Sequence, residues 1–336
     1  MLAAVATDIG DALRDLGQFD KATEAYRRAI ERSEKIGNRR GAAVSNFQLG
    51  TVHLIQGRLQ KALEVYEQAR QAFESLHEHT SVAQTLHGIG TVYEKAKQWD
   101  SAEAAYQQAL RIRIESKDKA GQALILGQLG SLYRLQLRLE ESAKLFRQAA
   151  AISEELVDPP SQARSLNNLA TVLLELESLA AAREAATRAL KLSESLGHVA
   201  APWKTWHILQ KLEALAGDLG EAVKARAQAM KLYATYRRAG GEPTSTSARL
   251  VVTVGQVLRS QTGTEALGLI PPPKQFEEIV LPVRDALLAI IGGSRDPALA
   301  QDIRLNYDTA VEFSLLLESL VGSEDQEASS ARPSSS

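Results

Sequence analysis

The sequence predicts an all-α protein, an α-solenoid of six helical hairpins followed by a small C-terminal helical segment. One pattern of residues recurs six times at a spacing of 40 residues and covers residues 1–238. Within each copy, apolar residues recur with the period of about 3.6 residues that is typical of an amphipathic helix, once on each side of a turn. A fixed period of this length indicates stacked supersecondary units, each of which buries one face against its neighbour.

Three positions of the pattern define the repeat. Small residues mark the first helix of each hairpin, with a polar exception in the sixth copy: Gly10, Gly50, Gly90, Gly130, Ala170 and Gln210. Large apolar residues begin the second helix: Phe19, Leu59, Trp99, Leu139, Leu179 and Leu219. Small residues follow three positions later: Ala22, Ala62, Ala102, Ser142, Ala182 and Ala222. We expect the small residues to let helices approach closely, and Tyr66, Tyr106 and Phe146 to fill the space that they leave.

Turn-forming residues separate the helices. Gly57 and Gly217 lie in turns within hairpins, where glycine supplies the left-handed conformation that ends a helix. The joints between hairpins are again 40 residues apart: Gly37-Asn38, His77-Glu78, Lys117-Asp118, Val157-Asp158 and Gly197-His198. Each helix is therefore expected to contain roughly 15 residues.

These motifs resemble the tetratricopeptide repeat (TPR) family. Gly90-Thr91-Val92-Tyr93 with Ala102 and Tyr106, and Gly130-Ser131-Leu132-Tyr133 with Phe146, match its small, tyrosine, alanine and aromatic positions. The 40-residue length resembles the variety found in kinesin light chains and bacterial sensor proteins. The resemblance implies a right-handed solenoid whose first helices line a concave groove, and that the groove holds an extended peptide or a partner's helix.

The groove positions of the family, transferred to this sequence, select polar residues on one face of the first helices. They are Gln48, Thr51, Gln84, His87, Thr91, Gln128, Ser131, Arg134, Arg164, Asn167, Asn168, Thr171, Lys204, His207 and Lys211. Amides and hydroxyls of this kind can donate to and accept from a peptide backbone. The alternative interpretation is an ordinary solvent-facing helix surface, which is also polar.

A carboxylate-binding variant of this hypothesis also has support from residue types. Some family members clamp a terminal carboxylate with lysine, arginine and asparagine, and Arg164, Asn168, Lys204 and Lys211 are of these types. Their order does not match the clamp motif closely.

The two ends of the repeat array depart from the pattern. The sixth copy has Gln210, Glu213 and Arg226 at the small, tyrosine and aromatic positions, as expected for a terminal repeat. Met1 falls within the first helix, so no polar covering segment precedes it. We therefore expect that the chain is the binding end of something longer, or that this end serves self-association or binds a partner gene product.

Composition excludes several classes of partner and points to the cytoplasm. The formal net charge of -2 lacks the basic footprint that nucleic acids and anionic membranes require. The chain has no cysteine and no long apolar run, and Asp8 and Asp11 interrupt the start in a way that is wrong for a secretory signal. We expect an intracellular, cytoplasmic protein.

Catalytic, cofactor and metal motifs are weak, and we predict none of these sites. Gly88-Ile89-Gly90 begins a dinucleotide pattern, but Tyr93 replaces the third glycine and the segment is predicted to be helical. His77-Glu78-His79 with His87 lacks a converging fourth ligand. His53 occupies a tyrosine position of the repeat and is expected to be a packed ring rather than a general base.

Beyond the repeats the composition changes. Residues 239–247 predict a flexible connector, residues 248–321 capping or satellite helices, and residues 322–336 a disordered tail rich in serine and acidic residues. Phe276, Ile279 and Val280 belong to the helical spacing predicted there. The function predicted from the whole sequence is a non-enzymatic scaffold or adaptor that binds a partner protein. The alternative is the regulatory portion of a bacterial signalling protein.

Overall fold

The computed structural model describes residues 2–197, 201–260, 263–269, 281–302 and 304–330. The chain forms two compact units, Met1–Leu192 and Ser193–Ser336. All regular structure in the described residues is helical, as predicted. The predicted end of the repeats at residue 238 does not coincide with the division at Leu192 and stays a prediction.

The first unit consists of helical hairpins with a regular helix length. Its helices are α1 (Leu2–Asp15), α2 (Phe19–Lys35), α3 (Arg39–Ile55), α4 (Leu59–Ser75), α5 (His79–Lys95), α6 (Trp99–Glu115), α7 (Lys119–Leu135), α8 (Leu139–Glu155), α9 (Pro159–Glu175) and α10 (Leu179–Leu196). Helices α2 to α9 each contain 17 residues, slightly more than the length expected from the sequence.

Helices α1 to α9 all end in the same way, with one residue in the left-handed conformation. These residues are 20 positions apart: Gly17, Gly37, Gly57, His77, Lys97, Lys117, Leu137, Val157 and Glu177. At the last turn of α8, Val157 N donates to Glu154 O at 3.1 Å and Asp158 N to Ser153 O at 2.9 Å. This is the Schellman arrangement, which satisfies carbonyls at a helix end.

The next helix begins immediately after these turns. The side chains of Asn38, Asp118 and Asp158 accept from the backbone N–H three residues later, at 2.9, 2.8 and 3.2 Å respectively. Such caps satisfy one of the backbone donors that a helix N-terminus leaves open. The predicted joints Gly37-Asn38, Lys117-Asp118 and Val157-Asp158 therefore both end one helix and start the next. His198, in the joint predicted at Gly197-His198, lies outside the described residues.

The core of the first unit rests on contacts between a glycine and a ring. Added Cβ atoms at Gly10, Gly50 and Gly90 would lie 2.5, 2.7 and 2.5 Å from the rings of the tyrosines 16 residues later. Gly130 has the same relation to Phe146, at 3.0 Å. The rings involved are buried: Tyr26, Tyr66, Tyr106 and Phe146. The small positions thus make room for aromatic residues of the following helix, as the sequence predicts.

The fifth hairpin uses a different pair of sizes at these positions. Ala170 replaces the glycine, and Ala186 stands where the ring is found in the earlier hairpins. Both alanines are fully buried. A larger residue in the first helix therefore coincides with a smaller one in the second.

One face of α1 exposes apolar side chains. From the sequence, Val5, Ile9 and Leu13 are expected to lie mainly on the internal face with modest exposure. Leu13 is half-buried, but Val5 and Ile9 are 46% and 51% exposed, which exceeds that expectation. Self-association through this end stays a prediction.

The second unit contains the sixth hairpin and the C-terminal helices. Its helices are α11 (Pro202–Leu215), α12 (Leu219–Arg238), α13 (Thr246–Ser260), α14 (Gly263–Gly268), α15 (Leu281–Ile291) and α16 (Tyr307–Ser330), with a 3₁₀ turn at Pro297–Ala300. Arg226, at the position of the ring in the earlier hairpins, donates to the carbonyls of Leu305 at 2.9 Å and Asp302 at 3.3 Å. The chain's own C-terminal segment thus covers this part of the hairpin.

The segment predicted as a flexible connector is held in place. Thr244 N donates to the hydroxyl of Tyr233 at 3.2 Å, and Thr244 Oγ1 to Asp308 Oδ2 at 3.0 Å. Glu242 N donates to the hydroxyl of Tyr236 at 3.0 Å. These bonds tie the segment to α12 and α16. The local composition gives no sign of this hydrogen bonding.

Two other expectations concern the C-terminal part of the chain: a disordered tail, and a helix that contains Phe276, Ile279 and Val280. The backbone of α16 is helical to Ser330, whereas the sequence predicts a disordered tail from Gly322. Phe276, Ile279 and Val280 lie outside the described residues, as do residues 331–336.

We predict that Val157→Gly stabilises the protein. A β-branched residue is strained at the positive φ of 53° that Val157 adopts, and glycine removes a cost of about 1 to 2 kcal/mol. Urea denaturation measures the change. Ala151→Gly, on the exposed face of α8, is the matched control and should destabilise by about 1 kcal/mol. A loss of stability in Val157→Gly would contradict the prediction.

Candidate functional site

Four of the predicted groove residues line one cleft in the first unit. This α7–α9 cleft has a volume of about 240 Å³. Its lining includes the predicted residues Gln128, Ser131, Arg164 and Asn168. Further lining residues are Ala120, Ala123, Leu124, Gly127, Ser153, Leu156, Asp158, Ser161 and Ser165. The structure therefore brings predicted residues of two neighbouring hairpins together around one space.

The spacing of residues along α7 determines which of its side chains face this cleft. Leu124, Gln128, Ser131 and Leu135 follow the i, i+4, i+7, i+11 spacing, so they share one face of α7. Leu124 and Leu135 are exposed, at 41% and 55%. The sequence prediction missed both leucines because it selected polar residues only.

A glycine in the middle of α7 leaves the cleft open. A Cβ atom added at Gly127 would meet nothing within 4 Å. At the corresponding positions of the second and third hairpins, the Phe47 and His87 rings lie 5.5 and 5.9 Å from the rings of Tyr66 and Tyr106. Gly127 thus lacks the packing reason that the glycines of the small-residue positions have, and glycine costs a helix interior about 0.5 to 1 kcal/mol relative to alanine. Its signal in the sequence is a helix-interior glycine at a position where other repeats carry rings.

Some polar groups of the cleft already form hydrogen bonds within the protein. Ser131 Oγ donates to Gly127 O at 3.0 Å, and a guanidinium nitrogen of Arg164 donates to Ser161 Oγ at 3.2 Å. Asp158 is the N-cap of α9. A serine hydroxyl that donates can still accept, and a guanidinium carries five donors, so the cleft retains hydrogen-bonding capacity.

Thr51 and Thr91 hold the core tyrosines from the first-helix side. Their hydroxyls lie 3.0 and 3.2 Å from those of Tyr66 and Tyr106. Both threonines also lie within hydrogen-bond distance of the carbonyl four residues earlier. These predicted residues therefore have a structural role whatever binds to the surface.

Other predicted residues of the first unit are more varied in their surroundings. Gln48 Oε1 accepts from Arg14 at 3.0 Å, and Thr171 Oγ1 donates to Asn167 O at 2.9 Å. Gln84 is exposed. None of these three lines the α7–α9 cleft.

Arg134 forms an ion pair across neighbouring hairpins. Its Nε lies 2.8 Å from Glu175 Oε1, and both side chains are exposed. Exposed pairs of this kind contribute about 0 to 1 kcal/mol. A charged ligand can therefore compete for Arg134 at little cost.

His87 is a strongly desolvated histidine of this surface. Its Nε2 is buried and has no hydrogen-bond partner among the described residues. Burial, and then the positive charge of Arg113, lower the pKa of His87 below its ordinary value of 6.5. The ring is thus neutral at pH 7 and packs against Tyr106.

The three predicted residues of the second unit divide into two kinds. Lys204 and Lys211 are exposed. The His207 ring lies 4.9 Å from that of Tyr307 in α16, and its Nδ1 lies 3.1 Å from Gln210 Oε1. Burial, and then the charge of Lys211, lower the pKa of His207. The chain's own last helix therefore packs against part of the His207 ring, and the predicted ligand-facing role of His207 stays a prediction.

The positions with weak catalytic or metal patterns have ordinary structural surroundings. Gly88 and Gly90 lie inside α5, and His53 is buried with a pKa lowered by burial and then by nearby cations. Glu78 pairs with Arg40 at 2.6 Å. Within the described ranges, no cluster of histidine, aspartate and glutamate is arranged to hold a metal ion. None of the helices described here has both the length and the apolar character needed to span a membrane.

The repeated hairpins, their glycine–ring seams and the polar first-helix face define a helical-repeat protein of the interaction class. A family model described as Tetratricopeptide repeat matches residues 1–75, 41–115 and 121–195, more than half of the chain. The chain belongs to the tetratricopeptide repeat family. No curated protein matches the sequence.

Solved structures with the same fold include the protein BtubC (BKLC) from P. vanneervenii. That structure has a TM-score of 0.60 and 18% identity and covers 68% of this chain and 94% of its own. The apo form of RapI has a TM-score of 0.61 at 12% identity over 80% of this chain and 93% of its own. A candidate kinesin light chain of Podosopora anserina, with nearly identical TPR-like repeats, has a TM-score of 0.50 at 17% identity over 58% and 96%. Likenesses at these identities show the fold.

We predict opposite effects of alanine at two glycines. Gly127→Ala should stabilise the protein by about 0.5 to 1 kcal/mol, because the added methyl enters open space and alanine favours the helix. Gly90→Ala should destabilise by about 1 to 3 kcal/mol, because its Cβ would lie 2.5 Å from the Tyr106 ring. Urea denaturation of both variants measures these changes. Equal effects would show that Gly127 is packed like Gly90.

We predict that His87 makes the protein less stable in acid. A histidine with a lowered pKa stabilises the fold fully above its ordinary pKa of 6.5, and this contribution is lost as the pH falls below that value. His87→Phe, which copies Phe47, should reduce the loss of stability between about pH 7.5 and 5.5, by at most about 1.4 kcal/mol per pH unit. Urea denaturation at both pH values tests this. If the free energy of unfolding depended on pH equally in the wild-type protein and in His87→Phe, His87 would not contribute to the loss of stability in acid.

Proposed function

We propose that this protein is a non-enzymatic scaffold that binds a segment of a partner protein along the first helices of its first unit. The tetratricopeptide repeat fold implies a protein interaction scaffold. Our proposal concerns the place of binding. The observation that supports it most is the α7–α9 cleft, because Gln128, Ser131, Arg164 and Asn168 line one space there.

The chemistry of the cleft supports binding of a polypeptide. Amide and hydroxyl groups can pair with the peptide N–H and C=O groups of an extended segment. Leu124 and Leu135, on the same face of α7, add exposed apolar area. Such a surface combines apolar contact with a few polar groups that fix orientation, as binding sites commonly do.

The lining of the cleft argues against catalysis at this place. It contains no histidine, lysine or glutamate among its described residues, and its carboxylate, Asp158, is occupied as the cap of α9. A general acid or base must be within reach of a substrate proton. Recognition therefore suits these residues better than proton transfer.

An acidic group on the partner has a defined place to bind. Arg164 is exposed and uses one guanidinium nitrogen on Ser161. The remaining donors of a guanidinium can hold a carboxylate with charge-assisted hydrogen bonds. Lys204 and Lys211 belong to the other unit, so the cleft supports this role for Arg164 by itself.

We predict that changing the cleft residues weakens capture of the partner. The variant Gln128→Ala, Arg164→Ala and Asn168→Ala should reduce recovery from the native cell about tenfold or more, if these residues include energetic hot spots. Quantitative mass spectrometry after mild washing is the measurement, since affinities near micromolar, about -8 kcal/mol, are expected for short peptides.

The control also replaces one arginine and two amide residues, with the same change in charge, on the second helices. Gln108→Ala, Arg147→Ala and Gln148→Ala alter exposed residues of α6 and α8 and should leave recovery unchanged. Circular dichroism establishes that both variants are folded. Recovery of the same partners at the same level by the cleft variant would overturn the proposed site.

A further inference from the structure

The first unit fills the space beside its core tyrosines with rings of its own in two hairpins. Phe47 lies 5.5 Å from Tyr66 at an interplanar angle of 50°, and His87 lies 5.9 Å from Tyr106 at 41°. Tilted pairs at these distances are favourable arrangements for aromatic rings. The fold therefore accommodates a planar side chain at this place in a hairpin.

The fourth hairpin has only the second-helix ring of this pair. Phe146 packs against Gly130 as Tyr66 packs against Gly50, and it is fully buried. The partner position is Gly127, beside which space is open. The hairpin thus presents a vacant place for a ring at the point where the α7–α9 cleft opens.

The size of the cleft limits what it can hold. Its volume of about 240 Å³ is below the roughly 300 to 1,000 Å³ typical of pockets that enclose a whole small ligand. A single large side chain suits this volume better than a cofactor or metabolite.

The walls of the cleft indicate a ring with a polar end. Ser153 and Ser165 are buried polar residues of its lining, and Ser131, Gln128 and Asn168 contribute further hydroxyl and amide groups. The Ser131 hydroxyl donates to Gly127 O and keeps its lone pairs available to accept a bond. A phenol can donate to and accept from such groups, whereas the ring of phenylalanine has no hydroxyl with which to bond to them.

We propose that the α7–α9 cleft is an anchor pocket for one tyrosine side chain of the bound partner segment. The tyrosine ring takes the place that Phe47 and His87 occupy in their hairpins, and its hydroxyl bonds to the serine and amide groups of the walls. This inference rests on the proposed function and adds the side chain that the cleft selects.

The direct test uses N-acetyl-tyrosinamide as a probe and the backbone amide signals of isotope-labelled full-length protein. Titration should shift the signals of Gly127, Ser131 and Ser165 in a saturable way, and N-acetyl-leucinamide should bind at least about tenfold more weakly. Gly127→Phe, which fills the cleft with the ring found at residue 47, should abolish the shifts. Gly127→Ala, which adds one methyl group, should retain binding.

Thermal denaturation of Gly127→Phe separates loss of the pocket from loss of the fold. A folded Gly127→Phe variant that no longer responds to the probe supports the proposal. Absent shifts in the wild-type protein, equal shifts with the leucine probe, or unchanged shifts in Gly127→Phe would each overturn it. If Gly127→Phe does not fold, the wild-type preference for the tyrosine over the leucine probe decides the question.

A second measurement distinguishes this proposal from the proposed function. Peptides selected from a random display library on the wild-type protein should be enriched in tyrosine and should bind Gly127→Phe at least about tenfold more weakly. Selected peptides that are sensitive to the Arg164 and Asn168 variants but bind Gly127→Phe normally would overturn the anchor and keep the binding surface. Peptides insensitive to all of these changes would overturn both.

Discussion

In the first four hairpins, the contact between a glycine of the first helix and a ring of the second helix is the constraint on which the first unit depends. Tyr26, Tyr66 and Tyr106 lie so close to their glycines that a single methyl group would overlap the ring. Interiors packed at crystalline density do not absorb such an overlap without movement. The same contact directs the tyrosine hydroxyls toward the first-helix surface, where Thr51 and Thr91 meet two of them. The core packing and the first-helix surface are therefore built from the same residues.

Gly127 differs from the glycines at the small positions because no ring packs against it. The glycines at the small positions are required by the rings beside them, whereas Gly127 has open space beside it and weakens its own helix. Local preference and observed residue disagree here, and such disagreements are expected mainly at functional or strained sites. Val157 is the corresponding disagreement in a turn, where a β-branched residue adopts a positive φ.

The repeated part of the fold could be predicted from the sequence, because the same packing and turn requirements recur in every copy. The small positions and the rings after them lie in helices, and the joints within the described residues lie in turns, as expected. Left-handed residues such as Leu137 and Val157 were not predictable, since their side chains disfavour the conformation that the turn imposes. The packing of Tyr307 against His207 joins residues far apart in sequence, so no local pattern encodes it.

The candidate site could be predicted in part for the same reason. The groove positions of the tetratricopeptide repeat family, transferred to this sequence, were sufficient to select Gln128, Ser131, Arg164 and Asn168. The cleft between them depends on the side chain that Gly127 lacks, and a search for polar groups does not detect a missing side chain. Leu124 and Leu135 were missed because apolar residues of a helix are ordinarily assigned to the core.

The uniform length of helices α2 to α9 limits how this chain can change. Adding or deleting one residue within a helix turns every following side chain of that helix by about 100°, which would carry the next ring away from its glycine. Insertions are therefore tolerated in the short turns or as whole hairpins. An array under this restriction grows or shrinks by duplication and loss of complete units, while single substitutions on the exposed helix faces leave the repeat intact.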